Sequence, residues 1–185
     1  MVRFLTVLVT ALNLLAVPAH AADWQVDPAG SKIRFGGTHM GNGFEGVFEK
    51  WSAEILFDPA NLKAAHVRVV VATGSAITGN KLYDGTLVAS DWFDVENFQE
   101  ATFEATEFTQ NSEGNYTAAG TLTIKGKSQP LAFDFILDIV GGAATMTARR
   151  SLDRIDLGLG VQSDATASWV SREIDLNIML KAQAH

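Results

Sequence analysis

In one segment after another between Lys32 and Lys181, apolar side chains fall at every second position. That spacing limits the chain to strands with one buried face. Ile33 and Phe35 alternate with Lys32 and Arg34, and Ile55 and Phe57 with Glu54 and Leu56. Val67, Val69 and Val71 alternate with His66, Arg68 and Val70, while Phe103, Ala105 and Glu107 interleave with Thr102, Glu104 and Thr106. Leu122 and Ile124 share one face of the run from Tyr116, and Phe133, Phe135, Leu137 and Ile139 oppose Asp134, Ile136 and Asp138. The most regular run sets Ile174, Leu176, Ile178 and Leu180 against Glu173, Asp175, Asn177 and Lys181. Turn residues at 111–115, a hairpin loop at 125–129 and Gly141-Gly142 separate the later runs. About eight strands joined by short turns, with no helices between them, define an all-β antiparallel barrel or sandwich. Residues 80–95 depart from the pattern, because Leu82, Leu87, Trp92 and Phe93 do not alternate. The expectation there is a connection with one or two short helical turns, capping one end.

The first 21 residues follow other rules. A basic Met1-Val2-Arg3, an apolar run from Phe4 to Val17 and the small-x-small Ala19-His20-Ala21 have the form of a cleaved secretory signal peptide. The run is shorter than the roughly 20 residues that cross a bilayer. Residues 22–185 then form a single domain. Cleavage after Ala21 leaves 164 of the 185 residues, and loss of Arg3 moves the formal charge from −7 to −8. Such an acidic balance opposes nucleic acid and anionic lipid surfaces as partners. The chain has no cysteine, so a domain of this length must hold together through its core. The expected destination is a Gram-negative periplasm.

Two glycine-rich stretches resemble nucleotide motifs and fail on context. GNGFEG at 41–46 has the spacing of a dinucleotide fingerprint, but alternation resumes within a few residues and leaves no room for the helix that the fingerprint needs. Gly41, Gly43 and Gly46 are expected in a flexible loop between strands. In Gly74 to Lys81 the glycines fit a phosphate loop, yet Asn80 stands where its lysine belongs. There is no nucleophile elbow, and His39 and His66 are too isolated to form a metal pair. No catalytic or metal site is expected. His66 reads as a surface residue on a strand, whereas His39 lies in the glycine-rich loop near a barrel end, where an imidazole can hydrogen-bond a ligand carbonyl.

Closing about eight strands leaves an interior that side chains fill, or that holds one small ligand. The strand residues expected to face it are Phe35, Phe48, Ile55, Phe57, Val69, Val71, Phe103, Leu122, Ile124, Phe133, Phe135, Ile174 and Leu176. Phe44, Ile77, Leu82, Leu87, Phe93 and Leu157 are expected to join them from the connections. The pattern alone leaves open whether this is a solid core or an apolar pocket for a long hydrophobic molecule.

A set of short motifs spans nearly the whole of residues 22–185. It starts with Trp24, Asp27, Ser31 and Phe35, then His39-Met40, Gly46-Val47-Phe48 and Phe57-Asp58-Pro59. Ser75 to Asn80, Tyr83 to Leu87, Ser90 to Val95 and Ala101-Thr102-Phe103 follow, and Gly120 to Gly126 and Arg154 to Gly158 complete it. In order and spacing the chain resembles the YceI family. The resemblance implies a periplasmic lipocalin-like β-barrel that binds polyisoprenoid or other long-chain lipids, without enzymatic activity and with no cofactor beyond the bound lipid. Phe98-Gln99 stands where the family usually has an aromatic residue followed by Pro, and Trp92 and Leu157 stand where Phe is commoner. Those departures bear on the length of the pocket.

Among envelope isoprenoids a pyrophosphate head wants clustered cations, and a quinone head does not. Unless Arg149, Arg150 and Arg154 converge on the opening, the acidic balance favours an isoprenoid quinone. His39, Thr78, Asn80, Ser90, Asp91 and Arg154 are the expected head-group residues. The family resemblance also implies an alternative role, an accessory module docking on a membrane cytochrome b561-type partner in electron transfer or stress response. Whether two copies pair as a homodimer is open.

Overall fold

A computed structural model describes residues 22–185; the expected signal peptide, 1–21, lies outside the described residues. The alternating runs become eleven strands. These are β1 Ala22–Val26, β2 Lys32–His39, β3 Asn42–Phe48, β4 Trp51–Phe57, β5 His66–Ala72 and β6 Ala76–Ile77, then β7 Glu100–Gln110, β8 Tyr116–Ile124, β9 Lys127–Val140, β10 Ala143–Asp153 and β11 Glu173–Ala184. All pair antiparallel, in the order β1-β4-β5-β7-β8-β9-β10-β11, and β11 returns to β1 to close the ring. The ring therefore has eight positions, as expected of the barrel. The three extra strands arise because three ring positions are interrupted: β2 continues β1 along β11, β3 continues β4, and β6 continues β5.

Two buried serines bridge the interruptions. Ser31 Oγ donates to the Asp27 carbonyl at 2.7 Å and accepts the Lys181 N–H at 2.9 Å, so a hydroxyl stands in where the β1–β2 backbone leaves the ladder. Ser75 Oγ donates to the Ala72 carbonyl at 2.7 Å and accepts the Lys50 N–H at 3.0 Å beside the β3–β4 break. Each satisfies backbone groups that a broken strand would otherwise bury unpaired.

Tight turns join the hairpins. At Met40-Gly41 and Lys125-Gly126 both central residues have positive φ, the mirror-image turn that matches the twist of the flanking strands. In these two hairpins no more than the two turn residues is unpaired: Gly43 and Gly46 belong to β3 rather than to a loop, and β9 already begins at Lys127. Gly46 is required for contact, because a Cβ there would lie 2.3 Å from the ring of Phe35, which packs flat on the β3 backbone. Another departure from strict alternation lies in β7, where a bulge between Ala105 and Glu107 shifts the register by one. Glu107 turns to solvent and Phe108 turns inward, reversing the expected facing of Glu107.

The segment after β6 contains one short helix, α1 Lys81–Leu87, followed by turns up to β7. Asn80 starts it, its Oδ1 accepting the N–H groups of Leu82 and Tyr83 at 3.0 and 3.4 Å. Two apolar clusters fill the barrel. One gathers Trp24, Phe57, Phe108, Tyr116, Phe135 and Leu180 near β1; the other gathers Phe35, Phe93, Leu122, Ile124, Leu152 and Leu157 toward α1. Phe103 and Phe133, with ring centroids 5.2 Å apart, touch both.

Candidate functional site

Because the inward positions of the eight ring strands are apolar with few exceptions, the space they enclose is apolar too. A cavity of about 250 Å³ runs through it, lined from Trp24 and Ala182 at one end to Leu87, Trp92 and Phe93 at the other. On β11 the lining extends from Ile174 to Ala182, about 27 Å of strand at roughly 3.4 Å per residue. With the usual strand tilt that is about 20 Å along the axis. Spread over that length, the volume makes a channel about one hydrocarbon chain wide rather than a chamber. Among its lining side chains only Thr102, Arg150 and Arg154 are polar.

The ends differ. Near β1, Phe57 packs edge-on against Phe108 and Tyr116 at 5.4 and 5.5 Å, Tyr116 stacks on Phe135, and the Trp24 indole N–H donates to the Phe57 carbonyl at 2.9 Å. This end is plugged with rings. At the other end, α1, the turns after it and the loop 154–172 lie across the barrel, placing Leu87, Trp92, Phe93, Leu157 and Leu159 on the channel.

Of the apolar residues expected to face the interior, Ile77 and Leu82 do not. β6 is only two residues long, and with Ala76 buried its neighbour Ile77 points outward, 36% exposed. Leu82 sits on the first turn of α1 and is 73% exposed; Leu87, on its last turn, reaches the channel instead. The other seventeen, Phe35, Phe44, Phe48, Ile55, Phe57, Val69, Val71, Leu87, Phe93, Phe103, Leu122, Ile124, Phe133, Phe135, Leu157, Ile174 and Leu176, all line it. Sequence reasoning missed Trp24, Trp51, Phe108, Leu131, Leu152 and Arg150 as lining residues. Alternation could have found Leu131 and Leu152, which keep the parity of Phe133 and of Met146, but Phe108 is concealed by the bulge.

The expected head-group residues are placed differently, and five of the six lie off the channel. His39 Nδ1 hydrogen-bonds the Tyr83 hydroxyl at 3.0 Å and ties the β2–β3 hairpin to α1. Thr78 donates from both N–H and Oγ1 to the Asp84 carboxylate at 2.6 Å, and these bonds hold that carboxyl below its usual pKa. Asn80 is the helix cap, and Ser90 is exposed. Asp91 accepts the N–H groups of Gln162 and Ser163 and the Ser163 hydroxyl. Desolvation opposes its charge, yet these bonds outweigh it and lower its pKa. His39, Thr78, Asn80 and Asp91 thus organise the cap, and Ser90 lies exposed beside them.

Arg154 does line the channel, but its donors are engaged. It is wholly buried, with Nε on the Ser171 carbonyl, Nη1 on those of Leu159 and Gly160, and Nη2 on the Asp164 carboxylate at 2.7 Å and on the Asp164 and Val170 carbonyls. Its guanidinium also lies 5.4 Å above the Trp92 ring. Burial disfavours the Asp164 carboxylate, but the N–H groups of Val170, Ser168 and Trp169 and the charge of Arg154 outweigh that and lower its pKa. The pair folds the loop 154–172 and leaves no free donor for a ligand.

A closed antiparallel barrel around a narrow apolar channel, lidded by loops at one end, is a lipocalin-like architecture. The chain belongs to the YceI-like domain family, which matches residues 24–182. A UPF0312 protein of Vibrio vulnificus is 32% identical over 181 residues, covering 91% of this chain and 95% of that protein. One from Vibrio cholerae is 30% identical over 172 residues, with 87% and 90% covered. Among solved structures, Burkholderia cenocepacia BcnA superposes with a TM-score of 0.81 at 27% identity, over 85% of this chain and 99% of that one. A polyisoprenoid binding domain from Saccharophagus degradans shares the fold, with a TM-score of 0.69 at 15% identity over 90% and 99% of the two chains.

Proposed function

We propose that the protein binds a long-chain isoprenoid lipid in the barrel channel and carries or sequesters it, with an isoprenoid quinone as the ligand and the periplasm as the place of action. The observation that carries this is the narrow channel itself, lined by apolar side chains from every ring strand and, from strand rise and tilt, about 20 Å long. Such a shape accepts an unbranched or methyl-branched tail and rejects compact polar metabolites. About 20 buried carbons at roughly 0.3 kcal/mol each give about 6 kcal/mol, a Kd of tens of micromolar before any head-group contact. Family membership points the same way, as does the polyisoprenoid-binding domain that shares the fold.

The head group is argued from charge. Arg149 faces outward opposite Asn177 of β11, and Arg154 is occupied by Asp164 and carbonyls. The three arginines therefore do not converge. A pyrophosphate, which wants several cations, finds one free guanidinium at most, whereas a neutral quinone needs no more.

Solvent extraction of the purified protein followed by mass spectrometry tests the reading. An isoprenoid-tailed quinone in the extract is the expected result. An extract free of isoprenoids, from a protein that then fails to bind an added four-isoprene ubiquinone, would sink it.

A further inference from the structure

We propose that the seam between β9 and β10 is a side opening of the channel, and that Arg150, standing in it, is the residue that holds the ligand's head group. The proposal rests on the carrier reading above and deepens it. The β9–β10 ladder runs from Ala143 and Val140 to Ala148 and Phe135 and then stops. Both strands continue, β9 back to Lys127 and β10 on to Asp153. Residues 127–134 and 149–153 are therefore strand edges inside an otherwise closed ring. Pro130, which has no N–H to give to a ladder, falls in this stretch, as proline does on an edge.

Arg150 faces inward. Its β11 partner is Leu176, and the partners of Ala148 and Leu152 are Ile178 and Ile174, all three on the channel. Arg150 lines the channel and is nevertheless exposed. Both hold together where the channel meets water, and the seam is at that point.

On this face of β10 the other positions are Ala144, Met146, Ala148 and Leu152. An arginine among them breaks the alternation, and among the described residues it forms no salt bridge or side-chain hydrogen bond that would account for it. Arg154, four residues on, shows how this chain treats an arginine whose role is structural. Arg150 instead presents five N–H donors and a flat cationic face at the mouth of an apolar tube. Its natural complement is an oxygen-bearing head whose tail lies inside. Single and accompanied by no second free cation on the channel, it suits the carbonyl of a neutral ring, over which the guanidinium can also stack.

The test uses the full protein and its own tryptophans, since Trp24, Trp51 and Trp92 line the channel: bound ubiquinone quenches them, and the two non-quenching probes are read by the emission recovered as they displace it. Three probes share a similar tail: a four-isoprene ubiquinone, geranylgeranyl phosphate and a headless isoprenoid hydrocarbon. R150A is expected to weaken ubiquinone binding about tenfold, as for loss of a charged hydrogen bond. R150K is expected to lose less, and hydrocarbon affinity is expected to stay within about twofold in both variants. Unchanged melting temperatures of the variants would separate this from misfolding. Equal loss for quinone and hydrocarbon, or no loss for the quinone, would overturn the role of Arg150. Tighter binding of the phosphate by the wild type, weakening with added salt, would overturn the neutral head group. Failure of the wild type to bind any of the three would overturn the carrier reading and the assignment with it.

Discussion

Arg154 and Asp164 hold the loop between β10 and β11 by pairing charge with charge in a place that neither would occupy alone. Breaking such a buried pair on one side strands the other partner, so R154M should cost about 3–5 kcal/mol in chemical denaturation. Adding D164N to it should cost less than the two single losses combined, since they share one interaction. Asp84, Asp91 and Asp164 all have lowered pKa values in the fold. A carboxyl depressed on folding stabilises the fold in full above its unfolded value, near 3.9, and the contribution fades as pH falls through the folded value. Thermal stability should therefore be flat near neutrality and drop below about pH 4, and D164N should lower the plateau while making the drop shallower. At this scale sequence yields parity but not partnership. Arg150 and Leu152 share a parity that alternation makes plain, yet the seam that exposes Arg150 depends on where two long strands part. Likewise Arg154 looks like any basic residue near a pocket until a carboxylate ten positions on is seen to fold back on it.

Elements in this barrel owe their shape to a few positions where the ladder is broken and repaired. The β7 bulge is matched on β8 by Gly120, opposite Ala105, where a Cβ would come within 2.1 Å of the Glu104 carbonyl oxygen and 2.7 Å of the Ala105 Cα. Both are backbone atoms, so G120A must displace the strand and should cost about 1–3 kcal/mol by denaturant titration. S31A removes the acceptor of the Lys181 N–H at the β1–β2 break, and a similar loss of about 1–3 kcal/mol is expected. N80A removes only a helix cap, so about 1 kcal/mol of stability should go while lipid affinity stays unchanged. A fall in affinity as large as that from R150A would return Asn80 to the head group. Strand existence was legible because each run alternates over several residues. Breaks and bulges were not, since a one-residue shift leaves the composition of a run intact and shows only in what the partner strand does.

For the whole molecule, alternation tells which face of each strand is inside but not how far the strands tilt, and tilt decides whether the inside closes on itself or keeps a channel. That is why seventeen lining residues could be expected by number while a solid core remained equally compatible with them. The channel's narrowness makes its own prediction. Val69 faces inward at the centre of β5, directly opposite Phe103, which belongs to both apolar clusters. A tryptophan there would fill a tube only one chain wide and divide it. V69W is expected to fold, at a cost of about 1–3 kcal/mol from overpacking. It should retain affinity for a quinone with a single isoprene unit and lose roughly tenfold or more for one with four. Ligand-induced stabilisation gives the same contrast independently: at about 100 times Kd the wild type should gain close to 2.7 kcal/mol, or roughly 5–10 °C in melting temperature. In V69W the long-tailed ligand should raise it by little more than the short one. Equal gains from both ligands in the variant would mean that the tail lies elsewhere than along the barrel axis.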